Sequence, residues 1–122
     1  YKELDVVEMN LAAKKLLGEQ DFTSFSKVKT NVNNFFCNVF RAEWLVEKET
    51  GILEFHITAN RFLRGMVRAI VGTLLLVGEH KMSVSDFEEV IRAKDRRKAG
   101  RAVPAAGLFL CKVEYPGEIF IK

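Results

Sequence analysis

Histidine, cysteine and proline are all scarce in this sequence, with two of each among 122 residues. The histidines, His56 and His80, stand far apart with no neighbouring cysteine, so neither a His-based metal site nor a Ser–His–Asp triad can be assembled from them. No metal and no cofactor is expected. Cys37 and Cys111 lie in apolar, strand-like runs without CxxC spacing, and read as buried free thiols in a reducing compartment. No apolar run is long enough for a bilayer: the longest uncharged one, Ala69 to Val77, is less than half of the ~20 residues a spanning helix needs. A secretory leader pattern is absent as well. No serine or cysteine has a plausible base and orienter beside it, so nucleophilic catalysis by a hydroxyl or thiol is not supported.

What is present suits one domain with a real hydrophobic core. Hydrophobic residues make up 48% and charged ones 29%, ordinary values for a soluble globular protein. The net charge of +3 is unevenly placed: seven Lys/Arg face nine Asp/Glu up to Asn60, and twelve face seven beyond it. A basic second half permits a polyanionic partner without proving one. The chain opens at Tyr1 rather than Met and enters a helix signal at once, so it is expected to be a piece of a longer protein.

Asp5-Val6-Val7-Glu8 has capping-box spacing, Val6, Met9, Ala13 and Leu16 follow at helical intervals, and Gly18 is placed to stop that helix. "GEQDFTSFS" reads as loop, with Asp21 suited to an Asx turn. "FFCNVFRAEWLV" and "ILEFHITA", joined by "EKETG", read as a β-hairpin in which Leu53, Phe55, Ile57 and Ala59 face the core. Gly51 supplies the positive φ of its loop. A long helix is predicted from about Arg61 to Val77, capped by Asn60 or Thr58 and closed by Gly78, beside which His80 suits a helix C-terminus. Phe62, Met66, Ile70 and Leu74 form its core face. Ser83-Val84-Ser85-Asp86 opens another helix, with Val84, Phe87 and Ile91 on one side. "LFLCKVEY" is a final strand. The expected order of helix, strand, strand, helix, helix, strand describes an α+β fold, a mostly antiparallel sheet with helices packed on it.

Arg68 is the residue that this pattern does not absorb. It lies inside the most apolar run of the chain, and a guanidinium cannot be neutralised, so burying it requires an anion. On a continuous helix Arg61, Arg64 and Arg68 fall within about 60° of one another and form a basic stripe. None has a carboxylate three or four residues away. Gly65, Ala69 and Gly72 make an adjacent stripe of small residues where another backbone could approach. Arg68 either snorkels or pairs with a local acid such as Glu54, or it points across a cleft to a carboxylate or phosphate. In "KDRRKAGRAVPAAG" five Lys/Arg surround one aspartate; the segment is either a solvated charge run or a set of phosphate contacts through Arg96, Arg97, Lys98 and Arg101.

The segments "NLAAKKLLGEQDFTSF", "ANRFLRGMVRAIVGTLLLVG" and "VPAAGLFLCKVEY", in this order and at these separations, resemble the C-terminal half of the tRNA pseudouridine synthase A family. The resemblance covers nearly the whole chain, and FLRxMVRxIVG is its most specific part. Gln20 departs from the histidine frequent in the family's "GxHDFxSF". The family's catalytic aspartate belongs to a GRTDxGVHA-like motif, and this chain contains none. The resemblance therefore implies one lobe of a two-lobed fold, with the aspartate on an N-terminal lobe outside this chain and Arg68 reaching it across the cleft. It further implies uridine-to-pseudouridine isomerisation in the tRNA anticodon stem-loop, no cofactor or metal, a cytoplasmic location and a homodimeric full-length protein. Leu108 would stand near the flipped base, although strand core is an equal alternative, and Arg61, Arg64, Arg96, Arg97, Lys98 and Arg101 would contact RNA, with Arg61 and Arg64 simply lying in water an equal alternative for those two. The competing readings are a non-catalytic RNA-binding module and a protein-interaction domain. The latter leaves the arginine stripe and the basic loop without a shared reason.

Overall fold

The hairpin is the framework on which the other elements are placed. A computed structural model describes residues 4–27, 34–103 and 111–114, the last four by backbone alone. Strands β2 (Phe36–Val46) and β3 (Leu53–Ala59) pair antiparallel as expected. Their turn is folded by the Glu47 carboxylate, which accepts the backbone N–H groups of Thr50 at 2.9 Å and Glu49 at 3.0 Å. Those donors hold the Glu47 carboxyl below its usual range, the Thr50 N–H most strongly. Gly51 closes the turn at φ +75°.

Leu53, Phe55, Ile57 and Ala59 are all buried, as their alternation predicts. In β2 the alternation changes phase: Cys37 and Val39 are buried on one side of Phe40, Ala42 and Trp44 on the other. The register shifts between Val39 and Arg41, which is a β-bulge; the extra residue, Phe40, is turned outward and half exposed.

Two more strands widen the sheet. Gly18–Asp21, expected to be loop, is strand β1 and pairs antiparallel with β2, Gln20 opposite Cys37. The expected final strand appears as β4 (Cys111–Glu114), parallel to β3, while residues 108–110 and 115 lie outside the described residues. The sheet order is β1-β2-β3-β4. The fold is α+β, with a mostly antiparallel sheet and helices packed on it.

Helix α1 (Val6–Ala13) begins at Asp5, whose Oδ1 accepts the Glu8 N–H at 3.1 Å. The reciprocal half of the capping box is replaced: the Asp5 N–H donates to the Gly78 carbonyl at 2.9 Å and ties α1 to the end of α2. The helix stops short of Gly18. It tightens into a 3₁₀ turn at Lys14–Leu16, and the Gln20 amide satisfies the Lys15 and Leu17 carbonyls at 2.8 and 3.2 Å. Helix α3 (Val84–Ala93) has the full Ser83/Asp86 capping box, and Phe87 and Ile91 are buried as expected.

Helix α2 (Met66–Gly78) is buried almost all round, as its composition requires. Met66, Ile70 and Leu74 are fully buried among Phe55, Phe87 and Met9, each side chain contributing about 1.5–3 kcal/mol by leaving water. Cys37 lies in the same core, its Sγ 3.9 Å from Met66 Sδ, and burial pushes its thiol up. No helix among the described residues is long and apolar enough to cross a membrane.

Candidate active site

The site begins where α2 begins, and that is later than the apolar spacing implies. Residues 61–65 are not helical. Asn60 is engaged in closing the sheet: its N–H donates to the Asn38 carbonyl at 3.0 Å and its Oδ1 accepts the Asn38 N–H at 2.8 Å. The chain then turns through Leu63–Met66 and enters the helix at Gly65, whose φ of +71° a residue with a Cβ would adopt only under strain. The expected stripe of Arg61, Arg64 and Arg68 is therefore not formed. Arg61 donates to Asn34 Oδ1 and to the Phe36 carbonyl, both at 3.1 Å, at the sheet's edge. Arg64 is exposed, and its carbonyl accepts the Lys27 N–H at 2.9 Å. Arg68 alone is on α2, in its first turn.

A strap of extended chain holds Arg68 in place. Residues 100–103 run along α2. The Thr73 hydroxyl accepts the Gly100 N–H at 2.8 Å while donating to the Ala69 carbonyl at 2.7 Å. A methyl group on Gly72 would overlap the Arg101 carbonyl, so the small-residue reading holds here: backbone approaches backbone. At the far end Arg68 Nε donates to the Val103 carbonyl at 2.7 Å, and the Val103 N–H donates back to the Arg68 carbonyl at 3.1 Å. The guanidinium is thus fixed by one of its N–H groups, and its two terminal nitrogens have no acceptor among the described residues. No carboxylate there lies within ion-pair distance of it either. Glu54, the local acid considered, is taken by His56 Nε2 at 3.0 Å.

A cavity of about 190 Å³ opens beside Arg68, lined by Lys27, Gly65, Arg68, Arg96 and Ala102. Among the described residues every charged group in its wall is basic. Arg96 reaches it from a 3₁₀ turn (Arg96–Lys98) after α3 and is steadied by an Nη1 bond to the Gly100 carbonyl at 3.1 Å. The strap therefore orients both arginines through its carbonyls. Gly65, the N-cap of α2, lies in the same wall; the helix has no capping side chain among the described residues and no acid in its first turn. The Met66 N–H is taken by the Leu63 carbonyl at 3.0 Å, and the positive end of the helix dipole adds to the potential here.

The rest of the basic loop points elsewhere. Arg97 is exposed and grips Asp95 through Nε at 3.1 Å and Nη2 at 2.9 Å, and that fork holds the Asp95 carboxyl below its usual range. Lys98 borders a different cavity with Asp86 and Glu89, and Arg101 is exposed. Leu108 lies outside the described residues. A larger cavity, about 460 Å³, is lined by Asn10, Lys14, Leu17, Phe40, Arg41, Ala42 and Glu43. Arg41 and Glu43 neutralise each other there at 2.6 Å, which leaves the exposed Lys14 as its one cation without an ion pair among the described residues. Among the described residues no group of His, Cys, Asp or Glu could hold a metal ion.

Sequence spacing did not single out Lys27, which joins the cavity by folding back on Gly65. Thr73 was also passed over, although a hydroxyl inside so apolar a helix was a signal of a bond to be made.

Residues 12–116 match the family model described as tRNA pseudouridine synthase. The chain belongs to that family. Among its relatives, tRNA pseudouridine synthase A of Porphyromonas gingivalis is 48% identical over 121 residues, covering 99% of this chain and 48% of the relative. The enzymes of the same name from Bacteroides fragilis and Bacteroides thetaiotaomicron are 52% and 51% identical, with 98% of this chain covered in each. The chain spans about half the length of the curated relatives it matches.

Proposed function

We propose that this chain is the C-terminal half of a tRNA pseudouridine synthase, carrying one wall of an active-site cleft whose nucleophile lies on the other half. The observation that supports this reading most is Arg68: a guanidinium fixed by the strap, facing an all-basic cavity, with no acid among the described residues to meet it. A buried or half-buried cation left in this state calls for an anion from outside.

In this reading the aspartate of the N-terminal lobe opens the glycosidic bond of a tRNA uridine, the freed uracil rotates, and C5 bonds to the ribose C1′, with release of the aspartate and loss of the C5 proton to solvent. Arg68 keeps that aspartate ionised and aimed, since a close cation lowers a carboxyl pKa. It stays charged throughout and cannot act as base. Arg61, Arg64, Arg97, Lys98 and Arg101 are offered as tRNA contacts outside the cavity, Arg96 within it, and Leu108 as an apolar neighbour of the flipped base. No cofactor or metal enters the reaction. A cytoplasmic location and a homodimeric full-length protein go with this reading.

The test is release of tritium from tRNA labelled at uridine C5. The full-length protein is expected to release it, and the 122-residue chain alone to release none. Turnover by the isolated chain would mean that the nucleophile is on this half and has been misassigned.

A further inference from the structure

Lys27, Arg68 and Arg96 bring three cations to one cavity, with no carboxylate in its wall among the described residues. The synthase reading brings one anion, the aspartate of the other half, and one carboxylate does not answer three cations and an uncapped helix end. The two guanidinium groups are held from behind by single N–H bonds to the Val103 and Gly100 carbonyls, at 2.7 and 3.1 Å. Their remaining donors have no acceptor among the described residues. Lys27 is held by its backbone: its N–H donates to the Arg64 carbonyl at 2.9 Å, and its Cβ lies 3.6 Å from where a Cβ on Gly65 would stand. The two guanidinium groups are therefore positioned in advance, and Lys27 is anchored beside them at its backbone, from which its ammonium can reach the cavity. A carboxylate offers two oxygens in one plane and suits a single guanidinium fork. Arg96 and Lys27 line the same cavity from separate parts of the chain and bring donors beyond that fork, which suits the tetrahedral oxygens of a phosphate.

We propose that Lys27 and Arg96 form, next to Arg68, a seat for one phosphodiester of the substrate RNA, directly beside the reacting uridine. The inference rests on the synthase reading, because that reading puts the nucleophile at Arg68. A cavity of about 190 Å³ holds two small anions side by side and little more. A phosphate seated by Lys27 and Arg96 is thus a neighbour of the nucleophile, and belongs to the reacting nucleotide or the one adjoining it. Lys27 and Arg96 are positioning residues here: they fix the strand so that the flipped uridine meets the aspartate.

The experiment uses the full-length protein and RNA stem-loops in which the phosphate on the 5′ or the 3′ side of the target uridine is a neutral methylphosphonate. With the unaltered protein, one of the two replacements is expected to slow single-turnover conversion by about ten- to a hundredfold, the size expected for charge-assisted hydrogen bonds. A Lys27→Gln, Arg96→Gln double variant should be slower by a similar factor on ordinary RNA and lose nothing more on the methylphosphonate. Lys27→Arg should keep both the rate and the sensitivity. The inference is overturned if neither replacement slows the unaltered protein, or if the double variant suffers the same additional loss. Each single variant is read the same way if the double variant does not fold. A full-length protein that converts no uridine at all sinks the synthase reading and this seat with it, a different result from an active enzyme indifferent to the neutral phosphate.

Discussion

On α3, Arg92 lies between Glu88 at 3.3 Å and Glu89 at 2.8 Å, and just beyond it Arg97 grips Asp95 at 2.9 Å. Across the strap, Arg68 and Arg96 are held by backbone carbonyls and have no acid among the described residues. The same chain thus treats its arginines in two ways. At Arg92 and Arg97 a carboxylate two to four residues away is supplied locally, as it is at Arg41. Around the cavity none is supplied, and the neutral carbonyls that orient the guanidinium groups leave their charge unspent. That difference separates solvated ion pairs, which contribute little, from the cations to which the proposed function assigns a ligand.

The comparison is tested most severely at Arg68. In the full-length protein Arg68→Ala is expected to lower kcat by roughly a hundred- to a thousandfold, the range for removing a preorganised electrostatic group, while tRNA Kd changes little. Equal losses in rate and affinity would make Arg68 an ordinary phosphate contact. Next comes Gly72→Ala, which should cost roughly 3 kcal/mol in a urea melt, because the added methyl overlaps the Arg101 carbonyl and pushes the strap off α2. Thr73→Val should cost less, about 1–2 kcal/mol, by leaving the buried Gly100 N–H without its acceptor. An unchanged melting profile for either would mean that the strap does not hold the arginines.

The smallest effect is expected on the paired side. Arg97→Ala should leave the melting profile unchanged and move the Asp95 titration upward, read by NMR. The Arg97 fork depresses that carboxyl in the folded state, so whatever the pair contributes is present above the pKa of a free aspartate and lost as pH falls through the folded value. A fixed Asp95 titration would show that the pair does not persist in solution.

Much of the fold was legible because local chemistry and tertiary structure agree. The hairpin followed from period-two alternation, α3 from Ser83 and Asp86, and the core of α2 from Met66, Ile70 and Leu74. The start of α2 was misread because Phe62 keeps the four-residue spacing with Met66 and packs against the core without being helical. Gly65 is the only mark of the break, and a glycine inside a periodic run does not announce its φ. Strand β1 was missed because Gly18-Glu19-Gln20-Asp21 carries neither β-branched nor aromatic side chains; its pairing comes from the edge that β2 offers. Of the site, Arg68 stood out as a charge in an apolar run. Lys27 could not, since its place depends on a turn 38 residues later in the chain that brings Gly65 beside it.

The parallel pairing of β3 with β4 governs when the site can exist. Parallel neighbours cannot be joined by a tight turn, and here the connection between them carries α2, α3 and the strap. Gly65, Arg68, Arg96 and Ala102 all belong to that one crossover. The hairpin can close early, from residues near one another in sequence, whereas β4 waits for an excursion of some fifty residues to return to the sheet. The segment that gathers the arginines is thus the one that supplies Met66, Ile70 and Leu74 to the core, so their repulsion is borne by packing that arrives with them.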